Sequence, residues 1–99
     1  MPAKNLAKLV APLFGSELRK ARRAAGLTQQ ALAERADVDP VFISFLENGH
    51  RQPSLTVVIS LEQELGLKPG ELTSRVSAKL TKTHEAKARK YKRVKSKAD

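Results

Sequence analysis

Three glycines divide the chain at nearly even steps, and each closes a run of apolar residues with helical spacing. Gly26, Gly49 and Gly66 stand where a helix ends on a left-handed residue. Thr28, Asp39 and Ser54 each precede such a run, as N-cap residues do. Pro40 follows Asp39 at a first helical position, where its missing N–H costs nothing, and Pro69 takes the same part for a last helix. No stretch alternates with period two, and β-branched residues do not cluster between turn signals. The spacing predicts an all-α fold of five short helices over 16–25, 29–36, 40–47, 55–65 and 70–78, the last free to run on. Short links force consecutive helices to pack as neighbours. Residues 1–13 hold Leu6, Leu9 and Val10 at helical spacing and read either as a short extra helix or as a mobile arm.

With 99 residues, 40% of them hydrophobic, the chain can bury one modest core. It contains no cysteine, so disulfides, thiolate metal sites and a cysteine nucleophile are excluded together. The net charge of +9 points to a polyanionic partner, nucleic acid before an acidic membrane or protein. That charge is concentrated. Residues 1–78 carry ten basic and eight acidic side chains, whereas residues 79–99 carry nine basic side chains against Glu85 and Asp99. Beyond residue 78 the apolar side chains thin to Leu80, Tyr91, Val94 and a few alanines, too few to fold a segment alone. The chain thus divides into 1–13, a helical body at 14–78 and a Lys/Arg-rich tail at 79–99. The run Leu9 to Phe14 is interrupted by Pro12 and is too short to span a membrane or to make a signal-peptide core, so a cytoplasmic protein is expected.

The helix over 40–47 has two unlike faces. At 100° per residue, Ile43 and Leu46 share one face and point to the core. Val41, Ser44, Phe45 and Asn48 fall on the other, which carries no charge and two apolar side chains. Either Phe45 packs against a neighbouring helix or the N-terminal arm, or this face enters a groove of a partner.

The stretch from Gly26-Leu27-Thr28-Gln29-Gln30-Ala31-Leu32-Ala33 through Pro40-Val41-Phe42-Ile43-Ser44-Phe45-Leu46-Glu47-Asn48-Gly49 resembles the Cro/CI-type helix-turn-helix, the XRE or lambda-repressor-like family. The flanks Leu18-Arg19-Lys20-Ala21-Arg22, Arg51-Gln52-Pro53-Ser54-Leu55 and Leu65-Gly66 through Leu72 agree, so the resemblance covers about residues 14–76. Phage members of this family are standard examples of a recognition helix laid in the major groove. The resemblance implies base contacts by Pro40, Val41, Ser44 and Phe45. It implies backbone contacts by Thr28, Gln29, Gln30, Asn48, His50 and Arg51, and a structural ion pair between Arg22 and Glu47. Ala33 supplies the small side chain that two sharply crossing helices need.

The chain departs from the family pattern at several of these positions. Proline, valine and phenylalanine stand where many relatives carry glutamine, arginine or lysine; they can meet thymine methyls but cannot make bidentate bonds to base edges. Sequence readout is therefore expected to lean on methyl contacts and DNA shape. Asp37 occupies a turn position that is usually glycine. Glu62 replaces a small apolar residue, and its role stays open.

No catalytic reading competes. His50 and His84 have neither cysteine nor an acidic cluster near them, so no metal site is expected. Ser16 and Ser54 read as caps, and the glycines form no phosphate-cradling loop. The expectation is a non-enzyme without cofactor: a homodimeric DNA-binding transcription regulator, a repressor or autoregulator, on a partly palindromic operator of double-stranded DNA. Leu72, Val76 and Leu80 repeat every four residues and suit a dimer patch, although Leu72 and Val76 would equally complete a core. The alternative is an antitoxin or adaptor whose basic tail grips another protein, a toxin or effector. Membrane binding ranks below both, because the tail lacks an apolar face.

Overall fold

The computed structural model describes residues 1–83, which form five helices: α1 (Ala3–Ala24), α2 (Gln29–Ala36), α3 (Pro40–Glu47), α4 (Leu55–Glu64) and α5 (Glu71–Thr83). No strand occurs among the described residues. The tail beyond Thr83, with His84, Tyr91 and Val94, lies outside them.

Local chemistry sets the helix starts. The Thr28 hydroxyl accepts the Ala31 N–H at 3.0 Å, the Asp39 carboxylate that of Val41 at 2.8 Å, and the Ser54 hydroxyl that of Val57 at 3.2 Å. Each cap contributes about 1 kcal/mol by satisfying an otherwise orphaned donor. Pro40 is the first residue of α3. Between α2 and α3, Asp37 adopts the left-handed conformation (φ 54°), and its N–H bonds back to Glu34.

The core forms where all five helices meet. Phe14, Leu18 and Ala21 of α1 converge on Leu32 and Ala33 of α2, Ile43 and Leu46 of α3, Leu61 of α4, and Leu72 and Val76 of α5. Leu18, Leu32, Ile43, Leu46, Leu61 and Leu72 have no exposed surface. α1 lies against α3 and α5, α2 against α3 and α4, and α4 against α5.

Three expectations need correction, and one position left open, Glu62, finds its role. First, residues 3–13 are neither a separate short helix nor an arm: they are the first half of α1, which runs unbroken through Pro12. A proline inside a helix sacrifices one backbone bond and costs about 3 kcal/mol in isolation. Here packing offsets that cost. Ala11 is buried, Val10 and Leu13 pack on the core, and the Gln52 amide donates to the Ala7 carbonyl at 3.2 Å. Ser16 therefore lies inside α1 and caps nothing. Second, Pro69 does not open α5. It belongs with Gly70 (φ 81°) to a turn, and α5 starts at Glu71.

Glu62 is buried and faces inward. Its carboxylate accepts the N–H groups of Gly70 at 3.0 Å and Leu72 at 2.9 Å, so it caps α5 from the neighbouring helix. Third, Leu72 and Val76 are core residues of the single chain and leave no surface for a dimer patch; Leu80 is half-buried against the same core. α5 continues past residue 78, and Lys79 bonds the buried Glu17 of α1 at 3.4 Å.

At Gly15 the α1 backbone crosses the C-terminal turn of α3 with no side chain between them. A Cβ there would stand 2.3 Å from the Leu46 carbonyl oxygen and 2.6 Å from that of Glu47. Gly15→Ala is thus expected to force α1 off α3 and cost about 1–3 kcal/mol. In a domain this small that lowers the Tm by roughly 5–20 °C. The exposed neighbour Ser16→Ala should leave the Tm nearly unchanged, and equal melting of the two variants would show that the helices do not cross here.

Candidate nucleic-acid interface

The turn between α2 and α3 projects one face of α3 away from the core. Ile43 and Leu46 are fully buried, whereas Val41 is 57% and Phe45 40% exposed. Pro40 and Asn48 are exposed, and Ser44 is half-buried. The four positions assigned to base reading therefore share one open surface. Phe45 is outside the core cluster, and its ring meets that of His50 edge to face, with centroids 6.2 Å apart and planes at 87°. That contact holds a large apolar ring outward instead of letting it fold back.

Behind this face lies a buried carboxylate. The Glu47 side chain has no exposed surface, and four hydrogen bonds reach it. Arg22 contributes two, from Nε to Oε2 at 2.6 Å and from Nη2 to Oε1 at 3.0 Å. Arg19 Nε donates to Oε1 at 3.2 Å, and the Gln29 amide to the same oxygen at 3.1 Å. Arg22 Nη1 also donates to the Leu27 carbonyl at 2.8 Å, fixing the link before α2. One carboxylate thus joins α1, the start of α2 and the end of α3. Burial would push the Glu47 carboxyl up, but the bonds from Arg22, Gln29 and Arg19 hold it below its ordinary value. The bond to Glu47 raises the Arg22 pKa in return.

The six positions assigned to the DNA backbone separate into two groups. Thr28, Gln30, Asn48, His50 and Arg51 are exposed on the surface around α3. The Arg51 side chain forms no hydrogen bond or ion pair among the described residues. Gln29 differs, for it is half-buried and spends one amide hydrogen on Glu47. Its remaining amide N–H is what the side chain can offer a phosphate. Sequence reasoning missed Arg19, whose Nη2 donates to the Asn48 side-chain oxygen at 3.1 Å. Its place three residues before Arg22 on one helix face was the available signal.

Among the described residues no group of His, Asp and Glu side chains could hold a metal ion, and no helix is long and apolar enough to cross a membrane.

Residues 18–72 match a family model described as helix-turn-helix. Over 60 residues, 61% of this chain, the sequence is 42% identical to a propionyl-CoA carboxylase regulator of Cereibacter sphaeroides, but the match spans 13% of that protein. It is 36% identical over 62 residues to an uncharacterised HTH-type transcriptional regulator of Sinorhizobium fredii, covering 63% of this chain and 80% of the other. The fold is similar to that of the restriction-modification controller protein C.AhdI from Aeromonas hydrophila. There the TM-score is 0.61 and the identity 35%, with 63% of this chain and 94% of that one covered.

Removing Arg22 strands a carboxylate that water cannot reach. Arg22→Ala is expected to cost on the order of 3 kcal/mol, with Arg19 and Gln29 keeping the loss from growing larger. The pH dependence follows from the depressed carboxyl. Its stabilisation is present above the ordinary value of 4.5 and is lost as pH falls through the lower folded value. Thermal melting from pH 7 to pH 2 should show this acid-side loss in the wild type and a shallower one in Arg22→Ala. An unchanged Tm in the variant at pH 7 would contradict the pairing.

Proposed function

Because this chain belongs to the helix-turn-helix family of the Cro/CI type, we propose that it is a transcription regulator that binds duplex DNA as a homodimer, repressing or autoregulating at a partly palindromic operator in the cytoplasm. The observation that carries the reading is the exposed, uncharged face of α3. Val41 and Phe45 are left open to solvent beside a rim of polar and basic side chains that suits phosphates. In this reading Pro40, Val41, Ser44 and Phe45 meet base edges, with the apolar ones against thymine methyls. Thr28, Gln29, Gln30, Asn48, His50 and Arg51 hold the backbone.

A single eight-residue recognition helix offers few base contacts, which favours two copies on two half-sites. The pairing surface proposed here is on α4. The four large apolar side chains left exposed among the described residues form two i,i+4 pairs, Val41 with Phe45 and Leu55 with Ile59. Leu55 is 73% exposed, and it lines a shallow apolar depression with Ile59, Leu67 and Pro69 that includes no basic side chain. Two strongly positive chains can meet there without bringing like charges together.

Phe45→Ala and Val41→Ala open no interior cavity and should leave the fold intact. Each is expected to cost about 1–3 kcal/mol on a selected operator and far less on unrelated DNA. Replacing the contacted thymines by uracils removes the methyl groups alone. The wild type should then lose affinity while Phe45→Ala barely responds; equal losses would mean that Phe45 touches no methyl. Leu55→Asp should shift the chain to a monomer in sedimentation equilibrium while leaving its melting nearly unchanged. If that variant stays a dimer, α4 is not the pairing surface.

A further inference from the structure

α1 contributes a group of cations that the recognition unit does not include. Arg19, Lys20 and Arg23 line a pocket of about 300 Å³, together with Ser16, Asn48 and the buried Glu47. Lys20 reaches Glu17 at 3.5 Å. Arg23 is exposed, and its side chain forms no hydrogen bond or ion pair among the described residues. Arg19 is the most constrained of the three. Its side chain is 38% exposed, its Nε bonds Glu47, and one Nη2 hydrogen bonds Asn48. Both Nη1 hydrogens and the second on Nη2 remain for an outside acceptor.

A guanidinium pinned on its inner edge by a buried carboxylate, with its outer edge open, is organised for an anionic oxygen before one arrives. Its neighbours decide which anion. Asn48, which Arg19 touches, is on the rim already assigned to the DNA backbone, and Gln29 bonds the same Glu47 oxygen as Arg19. Arg19, Gln29 and Asn48 therefore converge on one place at the edge of α3.

We propose that Arg19 and Arg23 form a further phosphate site for the DNA backbone, in which Arg19, anchored on Glu47, grips a phosphate beside Asn48 and Arg23 adds a second charge one turn along α1. The site rests on the reading of α3 as the DNA-binding helix and widens its footprint onto α1. Because the guanidinium contacts phosphate and not bases, it strengthens binding to all sequences alike.

The test measures binding of the full chain to a selected operator and to an unrelated duplex across a salt series, for the wild type, Arg23→Ala, Arg19→Ala, Asn48→Ala and the Arg19→Ala/Asn48→Ala double variant. Arg23→Ala should keep the wild-type Tm. It should weaken both duplexes by about 3–10-fold, and the log–log salt slope should become shallower by about 0.9 for each phosphate left without its cation. Arg19→Ala should weaken both duplexes and flatten the salt slope in the same way, and should still do so when Asn48 is already alanine.

Unchanged slopes for Arg19→Ala and Arg23→Ala would overturn the site. So would an Arg19→Ala loss that vanishes in the Asn48→Ala background, since Arg19 would then only orient Asn48. Saturable binding of inorganic phosphate that both arginine variants abolish, with DNA binding unaffected, would assign the pocket to a small anion and overturn the DNA proposal. Failure of the wild type to bind any duplex would instead remove the premise about α3.

Discussion

The Glu47 carboxylate has no exposed surface, yet it is held below its ordinary pKa because two arginines and a glutamine close around it. A buried charge without such partners would cost several kcal/mol, so the three helices that supply them cannot separate cheaply. Arg19 and Arg22 come from α1, Gln29 from the start of α2, and Glu47 itself closes α3. Hydrophobic burial at Ile43 and Leu46 would tolerate some rotation of α3 about its axis. The hydrogen bonds to Glu47 are directional, and they fix which face of α3 turns outward.

That orientation links stability to function. With Glu47 anchored inward, Val41 and Phe45 one turn apart are left in solvent, and Phe45 is steadied by the edge of His50. An exposed apolar pair has no stabilising role in the isolated chain and makes sense as a contact surface. The same carboxylate collects Arg19 and Gln29 at the border of this face. The proposed interface and the centre of the fold thus share one set of bonds, so a change at Arg22 or Glu47 should disturb both.

Much of this was legible in the sequence where the cause is local. Thr28, Asp39 and Ser54 cap their own helices within three residues, and the two faces of α3 follow from its helical period. The Arg22–Glu47 pairing was visible only through the family resemblance, since nothing in the spacing brings residues 25 positions apart together. What stayed hidden depends on distant packing. Pro12 reads as a helix breaker, and only the contacts of Ala11, Val10 and Gln52 keep α1 continuous through it. Glu62 looked misplaced because its partners are backbone N–H groups, which carry no signature in the side-chain pattern. Leu72 and Val76 show the limit of a helical wheel: it finds an apolar face but not whether the chain itself or a second copy covers it. Gly15 was passed over because its function is to leave room for the end of α3.

The central claim is that Glu47 holds α3 so that its uncharged face meets DNA. The most direct measurement is a titration of the labelled full chain with a selected operator duplex, following backbone amide shifts and side-chain signals by NMR. Large changes are predicted at Val41, Ser44 and Phe45, with further changes at Gln29, Asn48 and Arg51, while core residues such as Leu61 and Leu72 stay nearly still. Changes confined to α4 and α5, with Val41 and Phe45 unmoved at saturation, would contradict it.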